Sequence, residues 1–248
     1  ALIHLSKRYK VEFIITCKDE KYYNFNSKNF KNLSKELSCR FFFLNQLDNK
    51  LKLPTADVVL SINYLTIIPY QFINKFKYGI LNAHFGDLPK YRGNACPNWA
   101  ILNNEKNIFL TVHKMDKDLD SGDIVNKYKF PINKNTYIGD FYKWVEKKTP
   151  KFFLKSINDV LNNKKLIKQR GKILRTFPRK KEDSKIELNK GILWNYNLIR
   201  ASSHPFDGTY CFLNNNLSMK IIVWKAEIVK PKYDILAIDG QIIDKNFE

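Results

Sequence analysis

The chain has 248 residues, 44% of them hydrophobic, which is enough to bury the core of one large domain and a smaller one. No stretch approaches ~18 uncharged apolar residues, so a membrane span is excluded from the sequence-based interpretation. The four cysteines form no C-x-x-C pair, and the net charge of +19 favours phosphate-bearing partners, although much of the lysine excess fits a general composition bias.

The first half of the chain alternates short apolar runs with helical segments. Strands are predicted at residues 11–16, 41–44, 56–62 and 79–82, with helices around 30–37 and 70–76. This alternation predicts an α/β fold built on a parallel sheet. The chain opens on a predicted helix at residues 1–9, whereas such a sheet normally begins with a strand. We therefore expect the first strand to be missing from this numbering.

The second half divides at about Pro178. Before it, a helix is predicted to start at 97–102, strands at 108–113 and 124–130, and a long helix at 137–162 with a kink at Pro150. After it, short strands are predicted at 209–213, 220–229, 235–238 and 241–244. These patterns predict a catalytic domain over residues 1–177 and a small, mostly β C-terminal subdomain over 178–248.

Three polar residues stand where an α/β sheet places its ligands. Asn82 and His84 alternate at the carboxyl end of a predicted strand and therefore point to one face. Asp120 lies in a loop before a later strand. An amide and an imidazole at one crevice can donate hydrogen bonds to a developing oxyanion, and a carboxylate can raise the imidazole pKa. Each residue alone is more often structural, and only the combination suggests catalysis.

The order of motifs around these residues resembles one enzyme family. N-A-H (82–84) is followed by L-P-K-Y-R-G (88–93), P-N-W-A-I (97–101), T-V-H-K-M (111–115) and L-D-S-G-D-I (119–124). This order resembles the formyltransferases that use N10-formyltetrahydrofolate. The resemblance implies a Rossmann-like, mostly parallel sheet and the catalytic residues Asn82, His84 and Asp120. No His/Cys cluster has zinc spacing, and no metal is expected.

The resemblance also implies where the folate binds. Residues 61–68 resemble the loop whose backbone holds the pterin ring, and residues 115–120 resemble a second pterin-binding loop. The predicted folate contacts are Tyr64, Leu65, Ile67, Met115 and Asp116. Ordinary packing at strand ends is an equally good interpretation of the individual side chains.

The segment from Arg200 onwards resembles the module that follows the catalytic domain in sugar N-formyltransferases and, more loosely, in the methionyl-tRNA enzyme. The expected acceptor is therefore a nucleotide-linked amino-deoxy sugar used for surface polysaccharide such as lipopolysaccharide O-antigen. Our best choice is dTDP-4-amino-4,6-dideoxyglucose, although UDP- and GDP-linked sugars fit equally well. Since a diphosphate favours basic side chains and a base favours aromatic ones, the predicted acceptor contacts are Lys90, Tyr91, Arg92, Trp99 and Arg200.

Two alternatives remain at this point. A methionyl-tRNA formyltransferase shares the motifs, but a longer C-terminal domain is expected for it. A basic module that binds nucleic acid would explain the lysine-rich residues 143–181, whose aromatic residues are spaced as in a helix core. We expect neither a nucleic-acid nor a membrane partner. The first residues carry His4 and Lys7 and show no secretory signal, so we expect a cytoplasmic protein, and the C-terminal strands suggest a homodimer.

Overall fold

The computed structural model describes residues 1–19, 22, 25–44, 52–213, 217–230, 238, 240 and 241. The strands are β1 (Phe13–Thr16), β2 (Arg40–Phe43), β3 (Val59–Ile62), β4 (Ile80–His84), β5 (Tyr91–Gly93), β6 (Asn107–Lys114), β7 (Ile124–Pro131), β8 (Leu174–Thr176), β9 (Thr209–Phe212) and β10 (Lys220–Val223). The helices are α1 (Leu2–Leu5), α2 (Ser27–Glu36), α3 (Tyr70–Ile73), α4 (Cys96–Leu102), α5 (Ile138–Leu161) and α6 (Gly191–Ser202). The predicted strands at 235–238 and 241–244 fall mainly outside the described residues.

The sheet that carries the site has the order β3-β4-β6-β7. β3 and β4 are parallel, whereas β4–β6 and β6–β7 are antiparallel. A short loop with no helix joins β6 to β7, and such a loop cannot make the crossover that parallel strands need. Parallel pairing also joins β1 to β2 and β5 to β8. The predicted α/β class is confirmed, and β6 and β7 are its antiparallel part.

The core lies between this sheet and the long helix α5. Ile80 and Leu81 of β4 have no exposed surface, because β4 is flanked by strands on both sides. From α5, Ile138 and Phe141 are likewise fully buried, in the same hydrophobic cluster as Leu81. Pro150 lies inside α5, as predicted. This packing fixes the carboxyl end of β4, which is where Asn82 and His84 were predicted to act.

The C-terminal section contains a helix that the sequence interpretation did not predict. Helix α6 buries Leu198 and Ala201, and it is tied to α4 because Asn98 Nδ2 donates to the Ala201 carbonyl at 2.7 Å. β9 and β10 then form an antiparallel pair. The division at residues 177 and 178 stays a prediction. Among the described helices, none is long and apolar enough to cross a membrane.

Candidate active site

Asn82 is positioned by strand pairing. It lies opposite His113 in the antiparallel β4–β6 pair, and Asn82 Nδ2 is 3.2 Å from His113 Nε2. The other nitrogen of that ring, Nδ1, is 3.2 Å from the Lys114 carbonyl. These contacts fix the amide orientation of Asn82 and leave it a second N–H for a ligand.

His84 is held by a backbone carbonyl. The side chain is 7% exposed, and its Nε2 donates to the Tyr91 carbonyl at 2.7 Å. The ring therefore turns Nδ1 towards Asp120, whose Oδ2 lies 3.6 Å away. Gly86 makes this possible, since a Cβ there would stand 2.3 Å from His84 Nε2 and 2.5 Å from the Tyr91 oxygen.

Asp120 comes from the loop between β6 and β7, where its backbone has a φ of 53° in the left-handed region. Its Oδ2 accepts the Gly93 backbone N–H at 2.9 Å, and its Oδ1 is 3.5 Å from His113 Nε2. The carboxylate is 8% exposed. It thus touches both histidines, and the structure brings all three predicted catalytic residues together.

The charges in this cluster support one another. Burial disfavours an ionised Asp120, but the contact with His113, the charge of His84 and the Gly93 N–H outweigh it and lower the pKa of Asp120 to about 2. Burial also opposes a charged His84. The Cys96 thiol, 3.6 Å from Nε2, and the Asp120 carboxylate outweigh it and raise the pKa of His84 above its usual value. The arrangement favours an imidazolium beside a carboxylate.

The cluster opens into a cleft of about 2440 Å³ whose walls include the predicted folate contacts Tyr64, Leu65, Ile67, Met115 and Asp116. Tyr64 donates its hydroxyl to the Leu44 carbonyl at 2.9 Å. Ile67 is 87% exposed although it is apolar. Apolar side chains on the wall of a cleft are typical of a ligand site.

Four of the five predicted acceptor contacts lie away from the cleft. Of the five, only Arg92 lines the cleft, where its guanidinium donates to Gln169 Oε1. Lys90 and Tyr91 both bind Glu105. Trp99 donates to the Phe177 carbonyl.

Arg200 also lies away from the cleft. It is 3% exposed and donates to the Asn133 carbonyl at 2.8 Å and to Asn197 Oδ1 at 2.5 Å. Its Nη1 and Nη2 are therefore bound inside the protein, while its buried Nε makes no hydrogen bond to the described residues.

Sequence reasoning missed three residues at the centre: His113, Cys96 and Gln169. His113 was quoted within a motif, and its alternation along β6 places it on the same face as Thr111. Cys96 and Gln169 carry no local signal, because their contacts come from distant parts of the chain. Among the described residues, no group of three or more His, Cys, Asp or Glu side chains is arranged to hold a metal ion.

Residues 9–157 match the sequence profile of a family described as formyl transferase. The chain belongs to the formyl transferase family. A methionyl-tRNA formyltransferase from Orientia tsutsugamushi is 30% identical over 191 residues, covering 77% of this chain and 61% of that protein. The chain spans 28%, 61% and 62% of the length of the first curated relatives that it matches.

Solved structures of formyl transferases share the fold. A 4-N formyltransferase from Francisella tularensis has a TM-score of 0.66 at 23% identity, over 90% of this chain and all of that one. WlaRD, a sugar 3N-formyl transferase crystallised with dTDP and 5-N-formyl-THF, has a TM-score of 0.63 at 25% identity, over 81% of this chain and 73% of that one. This chain therefore shares the formyl transferase fold over most of its length.

Proposed function

We propose that this formyl transferase moves the formyl group of N10-formyltetrahydrofolate to the amine of a nucleotide-linked amino-deoxy sugar. The observation that carries the proposal is the Asn82–His84–Asp120 cluster, which stands at the carboxyl end of β4 and opens into the cleft. Our best choice of acceptor remains dTDP-4-amino-4,6-dideoxyglucose, and the product would serve surface polysaccharide synthesis.

The folate supplies the formyl carbonyl when it is bound. The apolar and exposed Ile67 and the half-buried Tyr64 and Met115 on the cleft wall suit a flat heteroaromatic ring. Tyr64, Leu65, Ile67, Met115 and Asp116 are therefore proposed to line that site. Ile67 offers the clearest case, because burying an exposed isoleucine against a ligand stabilises the complex by about 1.5–3 kcal/mol.

The catalytic groups act on charge that develops during transfer. As the amine adds to the formyl carbon, the free N–H of Asn82 and the Nδ1–H of His84 donate hydrogen bonds to the carbonyl oxygen. Each such donor is worth on the order of 2.7–4 kcal/mol in a dry site. Neither donor has to reorganise, since His113 and Tyr91 already hold them.

Asp120 has two tasks in this proposal. Its carboxylate keeps His84 protonated, and it accepts the proton that the attacking amine loses, directly or through a water. The tetrahedral adduct then collapses: the bond from the formyl carbon to N10 of the folate breaks, the carbonyl re-forms, and N10 takes up the proton that Asp120 accepted from the amine. No covalent enzyme intermediate is required.

The choice of a sugar acceptor rests on the likeness to WlaRD, which was solved with dTDP. Arg92 is the one predicted acceptor contact on the cleft wall; its Nε and Nη2 bind Gln169, and its Nη1, which has no hydrogen bond to the described residues, is proposed to bind a phosphate. A second acceptor, methionyl-tRNA, is favoured by the curated relatives, including the enzyme of Orientia tsutsugamushi. The two acceptors require separate tests.

The decisive experiment incubates the protein with N10-formyltetrahydrofolate and each of several acceptors, and detects the added formyl group by mass spectrometry. The panel contains dTDP-, UDP- and GDP-linked 4-amino-4,6-dideoxy sugars and, in a separate reaction, methionyl-tRNA. We expect formylation of a nucleotide sugar and an inert tRNA. Formylation of the tRNA alone would establish the second candidate, and the absence of transfer to every acceptor would contradict the proposed function.

A further inference from the structure

Gln169 uses both ends of its side-chain amide next to the catalytic cluster. Its Oε1 accepts from Arg92 Nη2 at 2.7 Å and from Arg92 Nε at 3.2 Å. Its Nε2 donates to the Asp120 carbonyl at 2.8 Å and to the Gly122 carbonyl at 2.7 Å. One primary amide therefore joins β5, whose Tyr91 carbonyl binds His84, to the loop that carries Asp120.

The loop of Asp120 needs such a partner. Asp120 has a φ of 53°, a conformation that side-chain-bearing residues rarely adopt without support. Two residues on, Gly122 lies so close to the Lys114 carbonyl that a Cβ would stand 1.7 Å from its oxygen. The two donated hydrogen bonds of Gln169 hold the main chain on either side of Ser121 in this tight turn.

Gln169 is itself fixed on both flanks. Ile167 exchanges two backbone hydrogen bonds of 2.9 Å with Ile124 at the start of β7. On the other flank, β8 pairs with β5 so that Thr176 lies beside Gly93. Gly93 is the residue whose N–H binds the Asp120 carboxylate. The segment 167–176 thus reaches both the main chain and the side-chain partner of Asp120.

We propose that Gln169 is a positioning residue for formyl transfer, holding the Asp120 carboxylate against His84. The proposal rests on the role proposed above for Asp120 and His84. Gln169 lies beyond residues 9–157, the part of the chain that matches the family profile. The part of the chain beyond the matched region therefore completes the site through a residue that does not line the cleft.

Two variants and one control test this role. Gln169→Leu removes all four hydrogen bonds, whereas Gln169→Glu can still accept from Arg92 but places an oxygen against two carbonyls. The control is Asn162→Leu, which removes an exposed amide that donates to the Asn158 carbonyl at 2.8 Å at the end of α5. We expect both Gln169 variants to lower kcat about tenfold with the KM for N10-formyltetrahydrofolate unchanged, and the control to keep the wild-type kcat.

The first readout needs no substrate. NMR titration of the His84 ring should show a lower pKa in Gln169→Leu than in the wild type and the control, because the Asp120 carboxylate moves away from the ring. An unchanged His84 pKa would overturn the proposal. The titration needs no substrate, so it tests the role of Gln169 even if no acceptor is formylated. Failure of the proposed function can therefore be distinguished from failure of this role.

The second readout is a double-mutant cycle. In the Asp120→Asn background, Gln169→Leu should cause no further loss of kcat, because a positioning residue acts only through the group it positions. The same tenfold loss in both backgrounds would show that Gln169 acts independently of Asp120 and would overturn the proposal. Thermal unfolding of every variant separates loss of fold from loss of positioning, and Gln169→Glu serves where Gln169→Leu fails to fold.

Discussion

The Nε2 atom of His84 donates to the Tyr91 carbonyl at 2.7 Å, and this single contact decides which ring nitrogen faces the cleft. The opposite nitrogen, Nδ1, then stands 3.6 Å from Asp120 Oδ2. The carbonyl and the nearby carboxylate stabilise a charged ring, and at 3.6 Å the Nδ1–H makes no hydrogen bond to Asp120 and stays available for the formyl oxygen. The imidazolium is thereby prepared to donate to a formyl oxygen before any substrate arrives.

Gly86→Ala should abolish most of the activity. The added Cβ would stand 2.3 Å from His84 Nε2 and 2.5 Å from the Tyr91 oxygen, so it forces the two groups apart. Since one donor to the oxyanion is lost, kcat should fall by at least about 100-fold. The control is Gly191→Ala, whose added Cβ meets no neighbouring atom within 4 Å; because its φ is 76°, it adds backbone strain without a contact and should keep near wild-type kcat. Near-normal kcat in a folded Gly86→Ala protein would contradict the account of His84.

The stability of the protein should depend on Asp120 in acid. The pKa of Asp120 is lowered from 3.8 to about 2, so the folded state is stabilised when the pH is above 3.8 and loses that stabilisation as the pH falls towards 2. The contribution is on the order of 2 kcal/mol at neutral pH. Urea unfolding should show that the wild type has a larger free energy of unfolding than Asp120→Asn, and that this difference becomes smaller below pH 4. A difference in free energy of unfolding that does not change with pH would contradict the lowered pKa.

Cys96→Ala should move the pH profile of kcat. The thiol contributes to the raised pKa of His84. A group with a raised pKa is protonated below that pKa and loses its proton as the pH rises through it. The alkaline fall of kcat should therefore occur at a lower pH in Cys96→Ala than in the wild type. Cys211→Ala in β9 is the control and should leave the profile unchanged, whereas an unshifted profile in Cys96→Ala would contradict the assigned cause.

Ile67→Asp should weaken folate binding without unfolding the protein. Ile67 is 87% exposed, so the charge costs little in the free protein but prevents an apolar contact with the ligand. Loss of that contact should raise the Kd for 5-formyltetrahydrofolate, measured by calorimetry, by about tenfold or more. Ile192→Asp on α6 changes a side chain that is 66% exposed and is the control. Equal Kd values for the two variants would place the folate elsewhere.

The parts of the fold that could be predicted are those with a strong local pattern. β4 and β6 are recognisable because apolar and β-branched residues recur in short runs. The cluster itself was predicted because Asn82 and His84 share one strand and Asp120 lies in a loop of recognisable sequence. The α/β class and the family followed from the same motifs.

The parts that could not be predicted depend on contacts between distant residues. β5 and β8 have three residues each, and they form only because residues 91–93 meet residues 174–176. Helix α6 begins at Gly191 and contains Asn195 and Asn197, which favour helices poorly, so its burial against α4 decides its conformation.

The same limit applies to single charges. Lys90 and Arg200 suggest phosphate contacts in the sequence, yet Glu105 and buried carbonyls take up their hydrogen bonds. The sequence shows where charged side chains occur, but it does not show which groups they bind in the folded protein. Gln169 shows the converse, since a residue with no distinctive neighbours in sequence lies at the centre of four hydrogen bonds.

The central claim is that His84 stabilises the transferred formyl group. Its most direct test is the single-turnover rate of formyl transfer from N10-formyltetrahydrofolate to the best acceptor of the panel, compared between wild type and His84→Ala. The account predicts a rate lower by about 100- to 1000-fold in a protein that unfolds at the same temperature as the Asn162→Leu control. A folded His84→Ala protein that transfers the formyl group at near the wild-type rate would contradict it.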